Sequence, residues 1–138
     1  MKKRYRSLNH KKFKMKFHLI FSTKYRRKLF IELWEQVLAS FKRAEGMQND
    51  WKILLMEYDS EMRDHIHILL EGTPDTKISK VVALLKQTST YDCWKLKREL
   101  MKKVYWGKKH LLWTKGYFCA TIGEVSEKKI ETYIKNQG

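Results

Sequence analysis

From Phe13 to Phe21 every second residue is large and apolar: Phe13, Met15, Phe17, Leu19 and Phe21. Lys14, Lys16, His18 and Ile20 fall between them. A period of two predicts a strand with one face in a core and the other, carrying His18, in water. The period then changes. Phe30, Leu33, Trp34, Val37, Leu38 and Phe41 keep helical spacing, and Gly46 is a plausible stop. Trp51 to Tyr58 reads as a second strand, and the polar turn "DSEMRD" leads into a third, His65 to Glu71, as an antiparallel hairpin. After Pro74 and Thr76, the residues Ile78, Val81, Val82 and Leu85 predict a second helix, with more helix to about Lys103. "LLWTKGYFCATIG" (111–123) predicts one or two further strands, and Ser126 is expected to cap a last helix. The order β-α-β-β-α-β plus a C-terminal helix is the split βαβ pattern of a ferredoxin-like α+β sandwich, an antiparallel sheet with helices on one face.

A chain of 138 residues with 43% hydrophobic and 13% aromatic content suits a single globular domain. Its charge narrows the choice of partner. Thirty Lys and Arg stand against fifteen Asp and Glu, a net charge of +15. Such an excess costs self-repulsion and suits a polyanionic partner, nucleic acid before an anionic membrane surface. No stretch approaches the roughly 20 apolar residues of a spanning helix, and the basic start lacks the apolar block of a signal peptide. Twelve cations precede the first acid, Glu32, and a second group runs Lys95, Lys97, Arg98, Lys102, Lys103, Lys108 and Lys109. Tyr5, Phe13, Phe17, Tyr25, Trp94, Tyr105 and Trp106 are mixed among them. Cations for phosphates beside rings for bases fit a single strand, although the same aromatics would also serve a core beneath a solvated basic face. Cys93 and Cys119 lack CxxC spacing and read as reduced thiols of a cytoplasmic protein. No phosphate-loop motif is present, which argues against ATP chemistry, and neither GxSxG nor HExxH occurs.

Within "RDHIHILLEG" (63–72), His65 and His67 sit two apart at the start of the third strand. Residues i and i+2 of a strand share a face, so both imidazoles project together while Ile66 and Ile68 point into the core. They are either two ordinary histidines or two nitrogen ligands for one divalent ion, in which case a third ligand must come from elsewhere. Asp64 before them either shapes the turn or orients His65 as an acceptor. His10, His18 and His110 have no comparable spacing.

Four stretches in order, "FHLIFSTKYRRKLF" (17–30), "RDHIHILLEG" (63–72), "LWTKGYFCATIG" (112–123) and "ETYIKNQ" (131–137), resemble the single-tyrosine HUH transposases of the smallest insertion sequences. The resemblance implies that His65 and His67 are metal ligands, that Tyr133 is the nucleophile, and that Gln137 is the third ligand. It implies DNA contacts at Lys24, Tyr25, Arg26 and Arg27, a further phosphate contact at Lys86, and a joint at Gly123. A basic arm (1–12) would precede the core, and a mobile tyrosine helix (124–138) would follow it. Relatives usually continue beyond the position of Gly138, which bears on how Gln137 would be held.

The activity so implied is metal-dependent cutting and rejoining of single-stranded DNA at the hairpin ends of a mobile element. It uses Mg²⁺ or Mn²⁺, a 5′-phosphotyrosine link and no ATP. A homodimer is implied, with the tyrosine helix able to act in trans. Two other readings stay open. One is a non-catalytic ferredoxin-like binder of single-stranded DNA or RNA. The other is an HUH relative with a different nicking role, such as a replication initiator or relaxase, which are usually larger. Seven tyrosines are present, and spacing alone does not choose Tyr133 among them; a surface aromatic packing the last helix beside Ile130 and Ile134 is the alternative.

Overall fold

The computed structural model describes residues 14–137, with only the backbone for 124–130. Four strands form one antiparallel sheet: β1 (Met15–Ser22), β2 (Lys52–Tyr58), β3 (His65–Gly72) and β4 (Phe118–Ile122), in the order β2-β3-β1-β4. Helix α1 (Phe30–Glu45) joins β1 to β2; α2 (Ile78–Leu96) and the short α3 (Arg98–Val104) lie between β3 and β4; α4 (Glu124–Gln137) follows β4. β1 and β2 run in the same direction with antiparallel β3 between them, which is the expected split βαβ arrangement.

Alternation decides which face receives the helices. Phe17, Leu19 and Phe21 of β1 lie in register with Leu70, Ile68 and Ile66 of β3, and all six are buried in one core. Phe30, Leu33, Val37 and Phe41 of α1 and Val81, Val82 and Leu85 of α2 close over them. α1 and α2 are also tied by an ion pair: Arg43 Nη2 donates to Asp92 Oδ1 at 2.7 Å and Ser40 Oγ donates to Asp92 Oδ2 at 2.7 Å. β3 ends on Gly72 because a Cβ there would lie 2.7 Å from Thr76 Oγ1, the atom that accepts the Thr73 N–H in the turn to α2.

Of the one or two strands expected in 111–123, the segment supplies one, β4, plus a single bridge between Thr23 and Trp113. Two other local expectations change. The last helix begins at Glu124, so Ser126 stands inside its first turn rather than at its cap. The second face of β1 is not wet at His18, which is buried. Phe13, His10 and the basic arm (1–12) lie outside the described residues. Cys93 is buried and Cys119 exposed, both as free thiols. His110 stacks on Trp94 with ring centroids 4.1 Å apart. Among the described residues no helix is long and apolar enough to cross a membrane.

Candidate active site

Because Ile66 and Ile68 enter the core, His65 and His67 stand on the opposite face of the sheet. Their rings are 5.2 Å apart. His18 shares that face through the β1–β3 register, in which Ile20 pairs with His67 and His18 with Leu69. Phe118 of β4 meets the His18 ring edge-on at 5.8 Å.

Each of the paired histidines is held by Nδ1. His65 Nδ1 lies 2.8 Å from Asp64 Oδ1, and Asp64 Oδ2 accepts the Arg26 Nε–H at 2.8 Å. Burial alone would raise the Asp64 carboxyl; the hydrogen bonds from Arg26 and His65 outweigh it and hold it below the usual range. His65 Nε2 is 3.3 Å from Asp59 Oδ2. His67 Nδ1 lies 3.0 Å from His18 Nε2 with the two rings stacked. The remaining nitrogen, His67 Nε2, is buried and has no hydrogen-bond partner among the described residues. Such an orphan costs about 1–3 kcal/mol unless something is there to use its lone pair.

Burial, helped by the neighbouring His18 and His65, lowers the His67 pKa from 6.5 to about 4. The folded state therefore keeps this imidazole neutral, and its contribution to stability is complete above pH 6.5. It is lost as acid protonates the unfolded chain first, between pH 6.5 and 4. The metal-free protein should lose about 3 kcal/mol more stability across that window than His67→Leu does, as an upper bound. Denaturant titrations at both pH values check this.

The last helix supplies the remaining groups. Ile134 of α4 is fully buried, whereas its neighbour Tyr133 is 49% exposed and turns its ring edge-to-face toward His67, with centroids 5.2 Å apart. One turn further on, the Gln137 carbonyl accepts the Ser60 N–H at 2.8 Å, which sets the helix end beside the turn that carries Asp59. One chain thus brings His65, His67 and Tyr133 together on one face of the sheet, with the backbone of Gln137 at its margin.

The family described as "Transposase IS200 like" matches residues 11–137. The chain belongs to the IS200-like transposase family. Curated relatives include the ISDra2 transposase TnpA of Deinococcus radiodurans, 30% identical over 91% of this chain and 85% of that protein. The transposase for insertion sequence element IS200 of Salmonella typhimurium is 30% identical over 96% and 82%. Among solved structures, a transposase from Deinococcus radiodurans superposes with a TM-score of 0.67 at 28% identity, covering 91% of this chain and 92% of that one. A REP-associated tyrosine transposase bound to a REP hairpin shares the fold, with a TM-score of 0.59 at 12% identity over 85% of this chain and 61% of that one.

Of the other expected residues, Arg26 reaches the histidine site through Asp64, whereas Lys86 lies on the helix-covered face, over the core ring of Phe21. Lys24–Arg26 forms a tight turn after β1, with Tyr25 and Arg26 both at positive φ (61° and 53°). For non-glycine residues this costs on the order of 1–2 kcal/mol each. The turn is clamped by Thr23, whose N–H donates to the Asp64 carbonyl and whose hydroxyl donates to the Arg27 carbonyl. Lys24 is fixed too, since its N–H donates to Leu112 O and its carbonyl accepts the Tyr105 hydroxyl. Gly123 joins β4 to α4, with open space where a Cβ would stand. Lys86 is engaged internally: its ammonium donates to the carbonyls of Thr114, Lys115 and Gly116. A phosphate there would have to displace those carbonyls.

Sequence reasoning missed two groups. His18 is on the histidine face by the same alternation that sends Phe17 and Leu19 inward, so the strand pattern carried that signal. Asp59 Oδ1 accepts the N–H groups of Glu61 and Met62, which aims its other oxygen at His65.

The donor set fits a divalent cation. With both Nδ1 atoms engaged, the Nε2 atoms are the ones that could serve as ligands: that of His67 is the buried orphan, and that of His65 faces Asp59 Oδ2 at 3.3 Å, a contact a cation would have to share or displace. Among the described residues no three His, Cys, Asp or Glu side chains group closely enough to hold a metal alone. A third ligand of another kind is therefore called for, such as a side-chain amide, a phosphate oxygen or water. A depression of about 480 Å³ lined by Lys14, Trp51, Glu71 and Gly72 lies at the far end of β3 from His65.

Proposed function

We propose that this chain cuts and rejoins single-stranded DNA at the ends of an insertion sequence, with Tyr133 as the nucleophile. The observation that carries this reading is the Tyr133 ring against His67, whose buried Nε2 has no partner among the described residues. The Tyr133 hydroxyl attacks a phosphorus, the bond to the 3′ oxygen breaks, and that oxygen leaves as a 3′-hydroxyl with a proton. The 5′ end stays on the protein as a phosphotyrosine. A 3′-hydroxyl then attacks that phosphorus and frees the tyrosine. One phosphoester replaces another at each step, so ATP is not needed.

His65, His67 and the Gln137 amide would hold Mg²⁺ or Mn²⁺. The ion supplies Lewis-acid charge relief at the scissile phosphate and favours the phenolate of a group whose ordinary pKa is about 10. Arg26 and Asp64 keep His65 oriented. In this reading the protein works as a homodimer, and Gly123 is the joint through which the tyrosine helix serves its own histidines or those of the second subunit.

The incoming strand would lie along the turn after β1. Tyr25 is exposed, with Lys24 Nζ 5.4 Å and Arg27 Cζ 6.0 Å from its ring centre. Arg27, Lys103, Val104 and Trp106 line an adjoining depression of about 340 Å³, and the Trp106 ring is 84% exposed. A half-enclosed cationic hollow with a bare indole suits an unpaired base. Trp106→Ala should weaken DNA binding by about 1–3 kcal/mol, the worth of one stacked base, without changing its salt dependence. Fluorescence anisotropy across a salt series reads both.

The reading is tested with labelled single-stranded DNA from the sequence flanking the gene. With Mg²⁺ or Mn²⁺ a protein–DNA species that survives denaturant should form, and chelator should prevent it. Tight binding indifferent to chelator, with no cut strand, would make this a non-catalytic binder of single-stranded nucleic acid.

A further inference from the structure

His18 has no part in the chemistry just described, yet it is buried and placed Nε2 to Nδ1 against His67 at 3.0 Å. One proton is shared across that contact, and where it resides decides what His67 can do. If His18 donated it, the His67 proton would sit on Nε2. That would leave a buried N–H without an acceptor and no lone pair to offer a cation. If His67 donates it from Nδ1, Nε2 is bare and aimed away from His18 with its lone pair free. His65 is arranged in parallel, Nδ1 against Asp64. The two imidazoles thus have matching supports: a carboxylate behind one and a third imidazole behind the other.

We propose that His18 is a positioning residue: its Nε2 accepts the Nδ1–H of His67 and so fixes His67 in the tautomer whose Nε2 can bind the divalent cation. This deepens the proposed function and rests on its assignment of His67 as a ligand. The fixed stacking, 5.2 Å between centroids and 19° between planes, also sets the rotation of the His67 ring. Phe118 on the far side of His18 holds the supporting ring in place.

The tautomer is read directly from ¹⁵N shifts and long-range couplings of the histidine rings in the metal-free protein at neutral pH. Wild type should show His67 as Nδ1–H. His18→Phe keeps an aromatic ring and removes the acceptor, so His67 should shift toward the Nε2–H form that an unconstrained histidine side chain favours. Its Mn²⁺ affinity, measured by calorimetry, should fall roughly 10–100-fold. His18→Gln restores an acceptor through its carbonyl oxygen and should recover much of both. A wild-type His67 protonated on Nε2 overturns the proposal without any variant being made, as does a His18→Phe protein with unchanged tautomer and affinity. If wild type binds no Mn²⁺ at all, the cation reading of the preceding subsection fails, while the tautomer still decides the role of His18.

Discussion

Tyr133→Phe should leave DNA binding intact and eliminate the covalent protein–DNA product. The substitution removes one oxygen and keeps the ring, so the edge-to-face contact with His67 and the burial of Ile134 next to it both survive. With the side chain half exposed, stability should be essentially unchanged. Activity should not survive, because removing a covalent nucleophile costs on the order of 10⁶ in rate where the catalytic groups act as a unit. Denaturing gels with end-labelled single-stranded DNA, beside anisotropy on the same DNA, separate the two effects. An adduct that persists, mapped by peptide mass to another tyrosine, would take the role away from Tyr133.

His67→Leu should be equally severe for cleavage and nearly harmless to the fold. A ligand lost from a two-imidazole set should lower cleavage by about 10³ or more, the scale of losing a preorganised electrostatic group. A structural histidine would behave differently, since removing a satisfied buried side chain normally destabilises. Here the Nε2 atom is already orphaned, so replacing it with a methyl group relieves about 1–3 kcal/mol and offsets the lost contact with His18. Wild type should gain stability with Mn²⁺, about 2.7 kcal/mol at a hundred times Kd, and the variant far less. Melting curves with and without Mn²⁺ test this. Equal gains in both proteins would place the ion elsewhere.

The fold was readable because its strands obey a period of two and its helices one of 3.6 with few exceptions. Ile66 and Ile68 were bound to go inward, and that alone put His65 and His67 on one face. What the pattern missed depends on contacts far apart in sequence. His18 looked solvated because alternation says which face a residue takes, not whether another element covers that face; β4 brings Phe118 onto it and β3 brings His67. Asp64 read either as a turn former or as the acceptor that orients His65; one oxygen does hold His65, while the other holds Arg26, a pairing across 38 residues that no local signal announces. Ser126 looked like a cap by residue type, and the helix starts two residues earlier. Lys86 was matched to a phosphate by resemblance, and the structure gives its ammonium three carbonyls. Tyr133 could not be told from six other tyrosines by any physical rule; the family resemblance chose it, and the structure sets its ring beside His67.

The turn at Lys24–Arg27 does not present a uniform positive patch. The left-handed twist at Tyr25 and Arg26 sends alternate side chains to different tasks. Arg26 already has its charge neutralised by Asp64, so counterions freed by an arriving strand would come from Lys24 and Arg27. A single inserted or deleted residue would exchange those duties, pointing Arg26 at solvent and leaving Asp64 without its cation. Backbone strain at two successive residues is the feature that keeps this reading frame.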